Sequence, residues 1–383
     1  MVGPAEQGPA PLSAATGPRD TRRVTDPGRE AEVLAHIEAF RRARPRFDDE
    51  VITSAHGAGG SATAALVDAV FLDALGGDGR LPLTDAAVLQ LPSGERLAFT
   101  TDSHVVQPRR FPGGSLGHLA VHGTVNDLAM MGARPAWLSL GVVLEEGFPV
   151  EELRAIVADL AEAAAVAGVR VVAGDTKVVG AGAADGVVLT TAGVGVIPPG
   201  RDLDARRVRP GDRVLLSGTL ADHGMAVMLA RGELALEADV RSDTAPLADL
   251  VEVLLAAAPA TRWLRDPTRG GLATVTNELA GDAGVAVVLD EAALPVRPTV
   301  AAACDLLGID PLHVANEGKL VAVVAADEAD AALAAVRAHP LGAEAALVGE
   351  VHEAPQGLVV LSTPFGGTRI VDVLVGDPLP RIC

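Results

Sequence analysis

Apolar residues recur at helical spacing along several segments of the chain, and short aliphatic runs lie between these segments. After Ser61, the expected N-cap, "ATAALVDAVFLDAL" places apolar side chains on one helical face. The segments "GSLGHLAVHGTVNDLAMMGA" and "EELRAIVADLAEAAAVAG" predict two further helices. The runs "AWLSLGVVL", "GVVLTTAGVGVI" and "RVLLSG" predict strands. Because helices and strands alternate throughout, we expect an α/β-type protein built in two layers.

The pattern divides the chain into four parts. Residues 1–48 are rich in Gly, Pro, Ala and Thr and lack apolar periodicity, which predicts a disordered extension. A loop centred on "PGRDLDARRVRPGD" separates an N-terminal domain at residues 49–203 from a C-terminal domain at residues 204–373. Residues 374–383 are Pro-rich, so we expect a flexible tail that ends in Cys383.

Charge and cysteine content exclude several classes of protein. The formal net charge of -19 argues against a nucleic-acid partner, because phosphate binding needs clustered Lys and Arg. No uncharged apolar run is long enough to cross a bilayer, and the N-terminus does not follow the order of a secretory signal. Only Cys304 and Cys383 are present, too few for a disulfide framework. We therefore expect a cytoplasmic protein without a membrane partner, in which Cys383 stays a free thiol.

Four aspartates are expected in loops, several of them beside glycine-rich turns. They are Asp102 in "TTDSHVV", Asp127 in "GTVNDLAMMGA", Asp175 in "AGDTKVVGAG" and Asp266 in "RDPTRGG". A single such Asp usually caps a helix or a turn, but Mg²⁺ prefers a few carboxylates together with substrate phosphates. Glycines permit close approach of the backbone to phosphate, and "HGAGG" supplies three of them, Gly57, Gly59 and Gly60. The set indicates a Mg–nucleotide site, although no Walker A or dinucleotide motif is present.

Other polar residues allow two interpretations each. In "NEGKL", spacing alone favours a turn with a solvated ion pair over a cleft carboxylate, Glu317, that handles protons. His118 and His122 share a helical face, which suits a metal ion, but packing or hydrogen bonding is favoured because no further ligand accompanies them. Cys304 lies in an apolar helical stretch and is expected to be a buried, inert thiol.

Cys383 is the last residue of the sequence, in "LPRIC". Its own α-carboxylate lies close to the sulfur, and this like charge disfavours the thiolate. Such a thiol is a poor catalytic nucleophile but an adequate acceptor for an activated group. Residues 376–383 would span roughly 26 Å when extended, at ~3.3 Å each, which is enough to visit a partner's site and then the chain's own.

Together these motifs resemble the HypE family of hydrogenase maturation proteins, in the aminoimidazole ribonucleotide synthetase (PurM-like) superfamily. The resemblance runs from about Val51 to Cys383 and includes "HGAGG", "FPGGSLGHLAVHGTVNDLAMMGA", "RDPTRGGLATVTNELA" and "ANEGKL". The Asp-bearing motifs by themselves indicate only the superfamily. The closing "LPRIC" is the feature that separates this family from its relatives.

The resemblance implies the fold and the nucleotide site. It implies an α+β, PurM-like homodimer in which the N-terminal sheets of both subunits form a barrel. Mg²⁺ and ATP would lie between the domains. The positions that match the family's ligands are Asp102, Asp127 and Asp266, with Asp175 and Thr176 nearby.

The resemblance also implies the reaction. A carbamoyltransferase would load a carbamoyl group onto Cys383, and the chain would use ATP to dehydrate this thiocarbamate to a thiocyanate. Lys177 and Glu317 are the candidates for proton handling. The cyanide would pass to the iron of [NiFe]-hydrogenase through a scaffold complex of two further maturation proteins.

Four other functions compete with this one. A selenophosphate synthetase would carry a reactive Cys near its N-terminus, whereas the first cysteine here is Cys304. Thiamine-monophosphate kinase and the purine-pathway cyclo-ligase give no reason for a terminal thiol. A non-catalytic carrier of the carbamoyl group differs from an enzyme in that it would turn over no ATP.

Overall fold

The computed structural model describes residues 47, 49–76, 83–232 and 238–374. These residues belong to one unit, Arg44–Cys383. The predicted extension at 1–48 lies outside the described residues except for Phe47. Of the predicted tail at 374–383, only Leu374 is described. Cys383 therefore also lies outside the described residues.

The N-terminal half contains a five-stranded sheet in the order β1-β2-β7-β5-β6. Strands β5 and β6 are parallel, and the other neighbours are antiparallel. Two short strands, β3 and β4, form a separate hairpin. The strands are β1 Ala87–Gln90, β2 Arg96–His104, β3 Arg110–Phe111, β4 Gly114–Ser115, β5 Arg134–Glu145, β6 Arg170–Val179 and β7 Val187–Ile197.

Two of the helices in this half cover one face of its sheet. The first described helix, α1 (Ser61–Leu66), continues through a π-helical segment, Val67–Leu72, to Asp73–Leu75. Helix α2 (Leu116–Met130) packs on β2 and β7, and α3 (Val150–Val166) packs on α2. Alternate residues of β7 are buried against these helices, which is the pattern of a strand with one covered face. The expected two-layer arrangement is confirmed in this half.

The C-terminal half contains a seven-stranded sheet in the order β14-β13-β10-β12-β8-β11-β9. Its strands are β8 Arg213–Leu216, β9 Trp263–Arg265, β10 Ala286–Asp290, β11 Val321–Val324, β12 Ala346–His352, β13 Val359–Ser362 and β14 Thr368–Val371. Its helices are α4 Asp222–Ala230, α5 Ala248–Ala257, α6 Gly271–Ala283, α7 Pro298–Leu307 and α8 Ala329–Ala338. Along β11, alternate residues enter two different hydrophobic clusters, so this sheet is buried on both faces.

Local structure differs from expectation at four positions. Gly60, not Ser61, is the N-cap of α1. Asp102 lies within β2, because residue-by-residue pairing with β7 extends that strand to His104. Asp127 lies in α2, in agreement with the helix predicted for its segment but not with the loop expected for its motif, and Asp175 lies in the middle of β6. The expectation of a loop is therefore correct only for Asp266, which directly follows β9. Within the described ranges, no helix combines the length and apolarity that crossing a membrane requires.

Candidate active site

Three carboxylates from both halves of the chain converge on one point. Asp85 precedes β1, Asp127 lies near the end of α2, and Asp266 follows β9. Each offers one oxygen, and these oxygens lie within 4.8 Å of one another. Asp127 and Asp266 were expected at such a site, whereas Asp85 was missed. It stands in "LTDAAVLQ", an Asp beside a short apolar run, so only the same weak signal as for the other aspartates pointed to it.

The three carboxyl groups are hard to ionise together. Burial and the neighbouring Asp266 carboxylate raise the pKa of Asp127 well above its usual value. Burial also raises the pKa of Asp85, although the Arg265 guanidinium acts in the opposite direction. The pKa of Asp266 rises to about 6, mainly because of burial. A positive ion among these oxygens would relieve their repulsion and favour the charged forms.

The donor set fits a hard divalent cation. All three ligand candidates are carboxylates, the type that Mg²⁺ prefers. Oδ2 of Asp85 is buried and has no hydrogen-bond partner among the residues that the structure describes. An unpaired buried carboxylate oxygen is costly, and coordination of a cation would satisfy it.

Asp102 lies beside this group but is not one of the three. Its charge raises the pKa of both Asp127 and Asp266. One oxygen of Asp102 is 3.7 Å from Nη2 of Arg269, and Nη1 of Arg269 donates to the carbonyl of Gly57 at 3.0 Å. A Cβ added to Gly59 would lie 2.8 Å from Cβ of Arg269. The predicted glycine loop, which continues to Gly60 at the start of α1, thus packs beside Asp102.

Glu317 is buried next to the carboxylate group, with only 5% of its surface exposed. Burial, followed by the charges of Asp266 and Asp102, raises its pKa well above the usual value. The favoured interpretation, a turn with a solvated ion pair, is wrong. Lys319 instead pairs with the buried Asp243 at 3.0 Å, and Asp243 also accepts the Glu317 backbone N–H at 3.1 Å.

A buried asparagine fixes the backbone of Glu317. Nδ2 of Asn126 donates to the Glu317 carbonyl at 3.2 Å, and its Oδ1 accepts the N–H of Leu247 at 2.8 Å. Since Asn126 precedes Asp127 in α2, this contact links the metal-ligand candidate to Glu317. The arrangement provides a cation site with a protonatable carboxyl group next to it.

Asp175, Thr176 and Lys177 do not join these residues within one chain. Asp102 pairs with Thr191 of β7, Thr191 with Leu140 of β5, and Leu140 with Gly174 of β6. Three inter-strand steps separate β6 from Asp102 by about 14 Å. Because strand residues alternate between faces, Asp175 and Lys177 also lie on the face of the sheet opposite Asp102.

The histidines and Cys304 behave as the favoured interpretations predict. Ser115 and His118 form a side-chain hydrogen bond of 2.9 Å, and His122 forms one of 3.0 Å with Thr244. Burial lowers the pKa of His122 to about 3, so the ring is neutral at physiological pH. Cys304 is buried in α7, and burial raises the pKa of its thiol to about 11.

Comparison with known proteins gives a consistent picture. Residues 83–197 match the N-terminal domain of AIR synthase related proteins, and residues 209–361 match their C-terminal domain. The carbamoyl dehydratase HypE of Cupriavidus necator is 54% identical over 332 residues, which cover 87% of this chain and 95% of that protein.

Solved structures of HypE show the same fold, so the predicted PurM-like architecture is confirmed. A chain of a HypE–HypF complex is 47% identical, with a TM-score of 0.77, covering 81% of this chain and 100% of that chain. HypE in complex with ATP is 43% identical, with a TM-score of 0.73, covering 87% of this chain and 100% of that chain. The protein thus belongs to the HypE family of the AIR synthase related proteins.

Proposed function

We propose that this chain is an ATP-dependent carbamoyl dehydratase that acts on an S-carbamoyl group carried by its own Cys383. The product would be a thiocyanate, the source of the cyanide ligand of the iron in [NiFe]-hydrogenase. The observation that carries the proposal is the buried Glu317 beside the group formed by Asp85, Asp127 and Asp266. Relatives named carbamoyl dehydratase, and one solved with ATP, support it.

The reaction needs a better leaving group than an amide oxygen. Transfer of the terminal phosphoryl group of ATP to the carbamoyl oxygen supplies one. Phosphorylation of the oxygen with loss of one N–H proton gives S–C(OPO₃²⁻)=NH and ADP. Loss of phosphate with the second N–H proton then gives S–C≡N. Phosphoryl transfer depends on positioning and charge neutralisation more than on covalent chemistry by the protein. Mg²⁺, held by Asp85, Asp127 and Asp266 when bound, supplies part of that neutralisation.

In this proposal, Glu317 would receive a proton from the nitrogen. A general base works best when its pKa lies near the operating pH, and burial together with neighbouring carboxylates moves Glu317 in that direction. Asp102 and the loop of Gly57, Gly59 and Gly60 contribute to ATP binding in this proposal. Their contact through Arg269 holds the loop beside the carboxylate group.

We assign Lys177, Asp175 and Thr176 to the site of a second copy of the chain. They lie on β6, an edge strand of the described sheet, three strands from Asp102. β6 also exposes apolar side chains, among them Val172 at 59% and Val178 at 60%. An exposed apolar edge strand favours pairing with another chain, which supports the barrel homodimer implied by the sequence. Lys177 would then neutralise charge or move a proton in the partner's reaction.

The remaining assignments follow from the same reaction. A relative has been solved in a HypE–HypF complex, which supports a protein partner that loads Cys383, and we assign carbamoyl transfer to it. Two further maturation proteins would receive the cyanide as a scaffold complex, in the cytoplasm. Residues 49–203 would form the ATP-binding domain and residues 204–373 the second domain.

Intact-mass measurement tests the proposal. With the carbamoyltransferase, carbamoyl phosphate and ATP, the chain should first gain one carbamoyl group and then lose one water. Cys383→Ala should accept no group, whereas Asp127→Asn should be carbamoylated but not dehydrated, because its defect lies in the use of ATP.

Two results would contradict the proposal. Carbamoylation of Cys383→Ala would exclude Cys383 as the acceptor. Carbamoylation of the wild-type chain without ATP turnover or loss of water would make it a carrier rather than a dehydratase.

A further inference from the structure

Arg265 contacts the carboxylate group from outside. Its Nε lies 2.8 Å from Oδ1 of Asp85, and its side chain is only 17% exposed. Nη2 lies 2.9 Å from Glu278, and Nη1 donates to the carbonyl of Leu83 at 3.3 Å. The planar guanidinium therefore reaches three partners at once, a geometry that a lysine cannot reproduce.

The contact divides the two oxygens of Asp85 between two environments. Oδ1 is taken by Arg265, while Oδ2 is buried and has no hydrogen-bond partner among the described residues. Asp85 also offers an oxygen within 4.8 Å of oxygens of Asp127 and Asp266. A carboxylate tied at one oxygen cannot rotate freely, so its other oxygen keeps one direction.

Arg265 is also connected to the carboxylate group along the backbone. It is the last residue of β9 and directly precedes Asp266, while Asp85 and Leu83 precede β1 in the other half of the chain. A single side chain thus ties the segment that carries Asp85 to the strand that presents Asp266. Displacement of either segment would widen the space between the three carboxylates.

We propose that Arg265 is a positioning residue for the divalent-cation site. It holds Oδ1 of Asp85 so that Oδ2 is directed to the cation, and it keeps the segments of Asp85 and Asp266 in register. Partners that orient ligands in this way change metal affinity by about 10–100-fold when they are removed. The inference depends on the proposed function only in placing a divalent cation at these carboxylates.

The test is a titration of the full-length chain with MnCl₂ alone, with free Mn²⁺ followed by electron paramagnetic resonance. Arg265→Met should weaken Mn²⁺ binding by about 10–100-fold. Arg265→Lys should restore part of the loss, because it returns the charge but not the fork of donors. The affinity of both variants for ADP, measured by calorimetry in EDTA, should differ from that of the wild type by less than about twofold. Binding of ADP under these conditions does not involve the cation.

Two control variants complete the design. Arg213→Met breaks a half-exposed ion pair with Glu350 in the second sheet and should leave Mn²⁺ binding unchanged. Glu278→Gln removes the outer partner of Arg265 but keeps its contact with Asp85, so Mn²⁺ binding should change much less than in Arg265→Met.

Wild-type Mn²⁺ affinity in a folded Arg265→Met variant would overturn the inference. If circular dichroism shows that this variant does not fold, Arg265→Lys decides, and unchanged affinity there overturns it as well. Undiminished Mn²⁺ binding by Asp127→Asn would overturn the site itself. The titrations are repeated in Cys383→Ala, which separates their outcome from failure of the carbamoyl reaction.

Discussion

Glu317 shows how one side chain acquires a function from its surroundings. Its carboxyl group is buried and lies near three other carboxylates, Asp266, Asp102 and Asp243, each of which raises its pKa. The folded state therefore binds the Glu317 proton more tightly than the unfolded chain does. As pH rises above the unfolded value of about 4.3, the unfolded chain releases this proton while the folded state still holds it, so the free energy of unfolding falls until the raised pKa of Glu317 is passed.

We predict that Glu317→Gln is carbamoylated normally but dehydrates at least about 100-fold more slowly, because it cannot accept a proton. In the wild type, the dehydration rate should rise with pH through the raised pKa of Glu317, since only the carboxylate acts as a base. Stopped-flow quenching followed by mass measurement gives this profile.

The control for this prediction is Glu350→Gln, at a half-exposed position in β12, which should keep the wild-type rate. Glu317→Gln should also be no less stable than the wild type at pH 8, because the stability lost above about pH 4.3 through the raised pKa of Glu317 is absent from the variant. A Gln variant that dehydrates at the wild-type rate would exclude Glu317 as the base.

At the scale of elements, helix α2 determines where Asp127 and Asn126 stand. Its first turn meets α3 so closely that a Cβ on Gly117 would lie 2.4 Å from the carbonyl oxygen of Ile156. Gly123 packs against β2 in a similar way, because a Cβ at this position would lie 2.9 Å from the His104 ring. Glycine is needed at both places because a Cβ would overlap the backbone of α3 at Gly117 and the His104 ring at Gly123.

We predict that Gly117→Ala destabilises the protein by roughly 1–3 kcal/mol, the usual cost of forcing extra atoms into a packed interface. Urea unfolding measures the difference in the free energy of unfolding. The matched control is Gly281 in α6, where a Cβ meets nothing within 4 Å. Gly281→Ala should stabilise by about 0.5–1 kcal/mol through helix propensity. Equal effects of the two substitutions would show that the contact of α2 with α3 is not the cause.

At the scale of the whole molecule, one chain does not bring all the predicted site residues together. Lys177 lies on the face of the sheet opposite Asp102 and three strands away from it. An ammonium group there serves the reaction only if a second copy presents it. The homodimer and the role of Lys177 are therefore a single proposal.

Mixing two inactive variants tests that proposal. The Lys177→Ala and Glu317→Gln chains are unfolded together in equal amounts and refolded as a mixture. The mixture should recover about a quarter of the wild-type dehydration rate. Half of the dimers are mixed, and each mixed dimer holds one site with both residues intact. Each variant refolded alone is the control. No recovery in a mixture shown by light scattering to be dimeric would mean that Lys177 acts within its own chain or not at all.

The sequence predicted regular elements and some ligands well because both have local causes. Apolar periodicity gave α2, α3 and β7 close to their observed bounds, because burial of one face requires it. Asp127 and Asp266 were recognised from their motifs and do meet. Asp175 was grouped with them because it has the same kind of sequence neighbourhood, although it lies on a different strand and face.

The amino-acid sequence by itself determined the alternation of helices and strands, the two halves, the apolar setting of Cys304 and the motifs of the family. Only the tertiary structure decided that Asp85 completes the carboxylate group, that Glu317 is buried, and that Lys177 lies on the face of the sheet opposite Asp102. Local patterns reflect burial along one element, whereas the site depends on strand pairing and domain contacts between residues up to about two hundred positions apart. The distance between two side chains, and the dielectric around them, exist only once those contacts have formed.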